Sequence, residues 1–341
     1  MRIGIWMVAV MAAGLLAGCN QGQFTCVYRA DVRGAPAAPS AEVSVLALGD
    51  TDDTPDKQWV GRAMAEYVGQ LPRAPDAALM LGDNFYTALT DGTKDPKWRT
   101  LFEDAYDPAI LAFPFYAILG NHDYVDKNDD TELAYAAENP KSRWKMPSRW
   151  YRVDLPAGAP KPLVTFLMLD SNAFDLPEER WAEQKRWLTA ELERTPKDTW
   201  VVACGHHPLY SNGVHGDDAK LIREWGELFE RGRVDFYLCG HDHTLQHLDV
   251  PGRRATFLVA GGGGAGTHVM LREGRAKLAR SSHGFVHLRF TRESATGRFV
   301  DSAGRVIHEL DRSRAGGVRV VKSGGTDALY RGRLIGTTPV P

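Results

Sequence analysis

Residues 43–50 read Val-Ser-Val-Leu-Ala-Leu-Gly-Asp, a short apolar run that stops at a glycine and is followed at once by an acid. The same device recurs down the chain. Ala77–Leu81 runs into Gly82-Asp83, Phe115–Leu119 into Gly120-Asn121-His122, Trp200–Cys204 into Gly205-His206, and Val234–Cys239 into Gly240-His241. Apolar runs of this length, bounded by turn residues, are buried strands rather than helices. Helix-like stretches at Pro55–Gln70, Leu176–Arg194 and Asp217–Arg231 separate several of them, and strand, polar loop and helix in repetition is the pattern of an α/β architecture. In such sheets ligands bind beyond the C-terminal strand ends, which is where all five polar clusters fall. The later runs Thr256–Ala260, Gly284–Phe290, Arg298–Asp301 and Val306–Leu310 lack long helical spacers. They read as antiparallel strands, so the expectation is a mixed sheet, or two sheets packed face to face.

The composition excludes several classes of protein. With 341 residues, 43% hydrophobic and 25% charged, the chain can bury a sizeable core and is neither collagen-like, coiled-coil nor wholly disordered. Its 41 basic and 43 acidic residues give a formal charge of -2, and no basic stripe with interleaved aromatics points to a nucleic acid. The only apolar stretch of interest to a membrane is Ile3 to Gly18, after a basic start at Arg2, which excludes a polytopic membrane protein. Residues 1–18 read as an export signal, too short for a comfortable membrane span. Leu16-Ala17-Gly18-Cys19 resembles a bacterial lipobox, which implies cleavage before Cys19 and a lipid on its thiol, anchoring the chain to the cell envelope. The alternative is an uncleaved export signal with an incidental cysteine. Residues 19–41 then read as a flexible tether, 42–311 as the catalytic domain and 312–341 as a peripheral tail. Cys26, Cys204 and Cys239 form no even disulfide framework, and the last two read as small buried strand residues.

The strand ends carry the chemistry. Asp50, Asp83, Tyr86, Asn121, His206, His241 and His243 supply two carboxylates, a phenol, an amide and three imidazoles. A single tetrahedral ion uses four donors, so this set suits two ions that share a carboxylate. His241 and His243, two apart on extended backbone, project to one side, and the glycine before each ligand lets the chain turn off its strand.

On these blocks, in this order, the sequence resembles the purple acid phosphatases of the small tartrate-resistant type, within the calcineurin-like metallophosphoesterases. Leu81-Gly-Asp-Asn-Phe-Tyr, Ser142-Arg-Trp-Lys-Met-Pro-Ser-Arg-Trp-Tyr-Arg and Asp235-Phe-Tyr-Leu-Cys-Gly-His-Asp-His-Thr-Leu-Gln carry the likeness beyond single ligands. The resemblance implies a four-layer α/β/β/α sandwich with mixed sheets. It implies Fe(III) on Asp50, Asp83, Tyr86 and His243, and a divalent Fe, Zn or Mn on Asp83, Asn121, His206 and His241. His122 and His215 are implied to hold the phosphate and protonate the leaving group while a metal-activated hydroxide attacks phosphorus. The substrate class so implied is a small phosphate monoester hydrolysed at acid pH, and a monomer is expected. A phosphodiesterase or nucleotide pyrophosphatase on the same metals, and a non-catalytic metal-binding surface lipoprotein, are the competing readings.

One departure stands out: Gly49-Asp50-Thr51-Asp52 has an acid where the family has glycine, so Asp52 is either an extra ligand or part of a solvated acidic loop. The remaining expectations are less specific. His207 and His247 read as neighbours of the site or surface residues, and His268, His283, His287 and His308 as surface or strand residues. Gly261 to Gly264 reads as a loop that lets backbone pass close to the metals. Arg143, Trp144 and Trp150 read either as a rim to the entrance or as a cap on the sheet.

Overall fold

The computed structural model describes residues 42–272 and 274–327. The expected signal (1–18), the tether (19–41) with Cys19 and Cys26, and residues 328–341 lie outside the described residues. The chain opens with β1 (Val43–Leu48), α1 (Pro55–Gly69), β2 (Ala77–Leu81) and β3 (Phe115–Ile118). Next come α2 (Asn121–Val125), α3 (Asp129–Glu138), β4 (Trp144–Lys145), β5 (Tyr151–Leu155) and β6 (Val164–Met168). The second half holds α4 (Glu178–Arg194), β7 (Trp200–Cys204), α5 (Ala219–Arg231), β8 (Phe236–Cys239), β9 (Leu245–Leu248) and β10 (Thr256–Ala260). It closes on β11 (Ala276–Arg280), β12 (Gly284–Phe290), β13 (Ser294–Asp301), β14 (Val306–Ser313), β15 (Val318–Lys322) and β16 (Gly325–Thr326).

The strands form two eight-stranded sheets, ordered β15-β14-β13-β12-β1-β2-β3-β4 and β16-β11-β9-β10-β8-β7-β6-β5. In the first, β1 to β4 run parallel and β12 pairs antiparallel with β1. In the second, β6, β7, β8 and β10 run parallel, with β5 and β9 antiparallel beside them. Alternation along each strand builds the layers. Val43, Val45 and Ala47 of β1 meet Phe166, Met168, Val202 and Leu238 in a core between the sheets. Leu46 and Leu48, on the opposite face, pack with Val60 and Met64 of α1. On the far side Leu167, Val201 and Ala203 pack with Trp181, Leu188 and Trp225 of α4 and α5. The result is the four-layer helix, sheet, sheet, helix sandwich with mixed sheets.

Three readings are refined. Thr256–Ala260 is antiparallel only on its β9 side and runs parallel to β8 on the other, because β9 skips one slot and turns back, leaving a gap that β10 fills without a helical crossover. The boundary expected at 311/312 cuts through β14. Arg312 is buried rather than peripheral, its guanidinium donating to Thr256 Oγ1 at 2.9 Å and to Arg254 O at 2.8 Å, with Asp235 at 3.7 Å. Cys204 and Cys239 are buried free thiols that face different cores on opposite sides of their sheet, so they cannot bridge.

Candidate metal centre

The ligand-bearing turns are held in an unusual backbone conformation. Asp50, Asp83 and His241 have φ of 62°, 50° and 65°, a left-handed region that costs a side-chain-bearing residue energy and tends to mark functional sites. The neighbouring glycines make the close approach feasible. A Cβ on Gly240 would lie 2.3 Å from Asp50 Oδ2, and one on Gly120 would lie 2.2 Å from Asp83 Oδ1.

These turns bring all seven predicted donors together. Tyr86 Oη lies 3.1 Å from His243 Nε2, 3.2 Å from Asp83 Oδ2 and 3.5 Å from Asp50 Oδ1. His206 Nε2 lies 3.1 Å from Asn121 Oδ1, 3.3 Å from His241 Nδ1 and 3.3 Å from Asp83 Oδ2. His241 Nδ1 stands 3.0 Å from Asn121 Oδ1. Asp83 therefore belongs to both clusters through one atom: Oδ1 accepts the His122 backbone N–H at 2.8 Å, while Oδ2 lies between the phenol of one group and the imidazole of the other.

Hydrogen bonds behind the donors set their tautomers. His206 Nδ1 donates to Leu81 O at 2.9 Å and His243 Nδ1 to Gly266 O at 2.7 Å, so each ring, once neutral, turns an Nε2 lone pair inward. Those lone pairs face carboxylate, amide and phenol oxygens, an array of acceptors that needs positive charge between them. Burial, reinforced by Asp83, raises the Asp50 carboxyl well above its usual range, and burial with Asp50 and Asp83 does the same to the Tyr86 phenol. Burial would also raise Asp83, but the His206 imidazole outweighs it and holds the carboxyl low. His206 in turn is pushed up to about 9: burial opposes its charge, and Asp83 and Asp50 override it. His243 is lowered to about 4, first by burial and then by His268. A bound cation would meet this demand for positive charge and reverse the penalty on the phenol and carboxylates. Two carboxylates and a phenol suit a hard ion, and the imidazole-rich half a divalent one.

Further expected residues flank the donors. The His122 ring sits 4.2 Å from that of Tyr86, and the His215 ring 3.9 Å from that of His241, so the two lie beside opposite halves of the donor set. Asp123, next to His122, accepts the backbone N–H groups of Gly120, Asn84 and Phe85. Asp52 accepts from the Asp53 N–H at 2.6 Å and joins no cluster of metal-binding side chains among the described residues, in keeping with an acidic loop. Gly261 does let backbone pass close: a Cβ there would lie 2.7 Å from Asp50 Oδ2. Arg143 donates to the carbonyls of Glu103, Tyr106 and Leu111, and Trp144 is buried, so both cap the sheet.

His268, expected at the surface or in a strand, instead stacks on His243 at 3.9 Å and accepts its backbone N–H at 3.2 Å. Asp242, between the two histidine ligands, was also missed. It accepts from His215 Nδ1 at 3.0 Å and from the Ser211 hydroxyl, and these contacts hold it low against the burial that would raise it. His207 is half-buried beside His206 and His241.

The calcineurin-like phosphoesterase family matches residues 44–245. The chain belongs to that family. The tartrate-resistant acid phosphatase type 5 of Rattus norvegicus is 30% identical over 232 residues, covering 62% of this chain and 69% of that protein, which places the chain in the purple, tartrate-resistant branch. A purple acid phosphatase from seeds of yellow lupin (Lupinus luteus) shares the fold at a TM-score of 0.64 and 16% identity, over 85% of this chain and 57% of that one. An anchor protein of the Plasmodium inner membrane complex shares it at 0.69 and 20%, over 85% and 91%. By this kinship the phosphoesterase is a metal-dependent phosphoric ester hydrolase of the acid phosphatase kind.

Proposed function

We propose that the chain is an exported, lipid-anchored acid phosphatase that hydrolyses small phosphate monoesters on a pair of metal ions. Asp50, Asp83, Tyr86 and His243 would hold Fe(III), and Asp83, Asn121, His206 and His241 a divalent Fe, Zn or Mn. When bound, such ions supply Lewis acidity that lowers the pKa of water towards hydroxide and neutralises charge on the phosphate. The side chains do the rest. Asp83 keeps the two donor groups in register, held by the His122 N–H at 2.8 Å. His215, its Nδ1 turned to Asp242, leaves Nε2 for the substrate, and His122 stands on the other side beside Tyr86. These two imidazoles would bind phosphate oxygens and pass a proton to the departing alkoxide, which favours the acid side of neutrality.

The observation that carries this reading is the position of Asp83 Oδ2, 3.2 Å from the phenol of one donor group and 3.3 Å from an imidazole of the other. The near-balanced charge supports a small-molecule substrate rather than a nucleic acid. The reading assigns membrane contact to a lipid on Cys19 and takes the protein as a monomer; among the described residues no helix is long and apolar enough to cross a membrane. Metal analysis with a visible spectrum, and rates on p-nitrophenyl phosphate beside its bis ester, test the proposal. Iron with a purple band and faster monoester cleavage is the expected result. Faster diester cleavage would make it a phosphodiesterase, and no hydrolysis by fully loaded protein would leave a metal-binding lipoprotein.

A further inference from the structure

His207 follows a ligand directly and lies with His206 and His241 in one cluster of donor atoms, which at first sight makes it another metal ligand. Its hydrogen bonds argue otherwise. Ser171, just beyond the end of β6, accepts at its Oγ the backbone N–H of His206 at 3.0 Å and that of His207 at 2.9 Å. A hydroxyl oxygen has two lone pairs, and both are used. Its one hydrogen therefore goes to the remaining partner, His207 Nδ1, at 2.9 Å. An imidazole that accepts at Nδ1 carries its own hydrogen at Nε2, where it can donate but not ligate. The residue is fixed from the other side too, its carbonyl accepting from Tyr237 Oη at 2.7 Å. The Nδ1 edge of this half-buried ring lies against buried Ser171, Nε2 has no hydrogen-bond partner among the described residues, and the His241 ring is 4.4 Å away.

We propose that His207 is a phosphate-binding residue, its Nε2–H donating to an oxygen of the bound ester on the His206/His241 side of the centre. The ligand class is a tetrahedral oxyanion, phosphate or its monoester, and the inference rests on the phosphoesterase reading of that site. A backbone-anchored serine that dictates the tautomer provides a donor whose hydrogen is already in place, unlike a ring free to carry it on either nitrogen.

The test uses full-length, zinc-loaded protein and three variants, His207→Phe, His207→Gln and Ser171→Ala. Long-range proton–nitrogen spectra should show His207 protonated at Nε2 in the wild type and a mixture of tautomers in Ser171→Ala. Calorimetry with inorganic phosphate should show affinity about tenfold weaker in His207→Phe and within about threefold of wild type in His207→Gln, whose amide reaches the Nε2 position. Zinc content should stay unchanged, and KM for p-nitrophenyl phosphate should rise more than kcat falls. Protonation at Nδ1, wild-type phosphate affinity in His207→Phe, or loss of zinc from that variant would each overturn the proposal. A loaded wild type that binds phosphate without hydrolysing esters, with His207→Phe still weaker, would support the donor while removing the phosphatase assignment.

Discussion

Replacing Asp83 by Asn removes one negative charge and little else. The amide oxygen still accepts the His122 N–H, but its NH2 now occupies the place of Oδ2, where it donates to His206 Nε2 instead of binding an ion. Both ions lose a ligand at once. Removing a mere neighbour of a ligand weakens metal affinity by roughly 10–100-fold, so for this shared ligand a loss of about 100-fold at each ion is a lower bound. The consequence can be read as heat stability. At free metal about 100 times the wild-type Kd, each ion stabilises the fold by about 2.7 kcal/mol, whereas a Kd raised 100-fold leaves only about 0.4 kcal/mol. Over two ions the difference approaches ~4.5 kcal/mol, which at roughly 1.5–2 °C per kcal/mol for a domain of this size cuts the metal-induced rise in Tm by about 7–9 °C. The metal-free variant should itself melt below metal-free wild type, because removing one partner of the buried Asp83–His206 pair destabilises the fold, so the comparison is between the metal-induced rises. Thermal melts with and without metal, bulk metal analysis and p-nitrophenyl phosphate turnover form the assay. A variant with the full metal-induced rise in Tm and near-normal turnover would refute the shared-ligand argument.

Three further outcomes are expected. Tyr86→Phe should abolish a visible charge-transfer band in iron-loaded protein while leaving partial activity; a retained band would mean another chromophore. Lys57 is lowered to about 7 from 10.5, burial outweighing Asp53 and Asp52, so the fold binds fewer protons than the unfolded chain between those values and stability rises with pH across that window. Lys57→Met should accordingly stabilise by up to roughly 5 kcal/mol below pH 7 and by progressively less towards pH 10.5, and denaturant midpoints that differ from wild type equally at pH 6 and pH 9.5 would contradict this. Cys19→Ala should move the protein from the membrane to the soluble fraction, and unchanged fractionation would reject the lipid anchor.

How much of this was legible in the sequence depended on whether local signals coincided with distant contacts. Asp50, Asp83, Asn121, His206 and His241 were legible because each follows a buried run and a glycine, and parallel strands deliver such ends to one edge. β6 was not. Its run Val164–Met168 continues through Leu169 into Asp170 and Ser171 without a glycine, which concealed both the strand and the serine that holds His206 and His207. His268 has no fixed spacing to any ligand. It reaches His243 through backbone pairing, its N–H donating to His243 O at 3.0 Å, a contact that the loop beyond β10 creates in three dimensions only. Arg312 misled because a charged residue at the end of an amphipathic strand ordinarily faces water, and only the neighbouring sheet's Thr256 and Arg254 carbonyl explain its burial.

The same geometry accounts for how the chain tolerates its own centre. Three ligands in the left-handed region cost of order 1–3 kcal/mol each, and two carboxylates held 100% and 99% buried beside a phenol add to that cost. Hydrogen bonds between the turns, such as the His241 N–H to Asp50 Oδ2 at 3.0 Å, offset part of that cost, and the strands feeding them are fully buried over β1, β2, β7 and β8. Side chains packed on both faces of both sheets therefore impose the turns, rather than the turns shaping the sheets. A site whose strain and charge are imposed from behind presents its donors already converged, so a cation that binds there gains their coordination without first having to gather them.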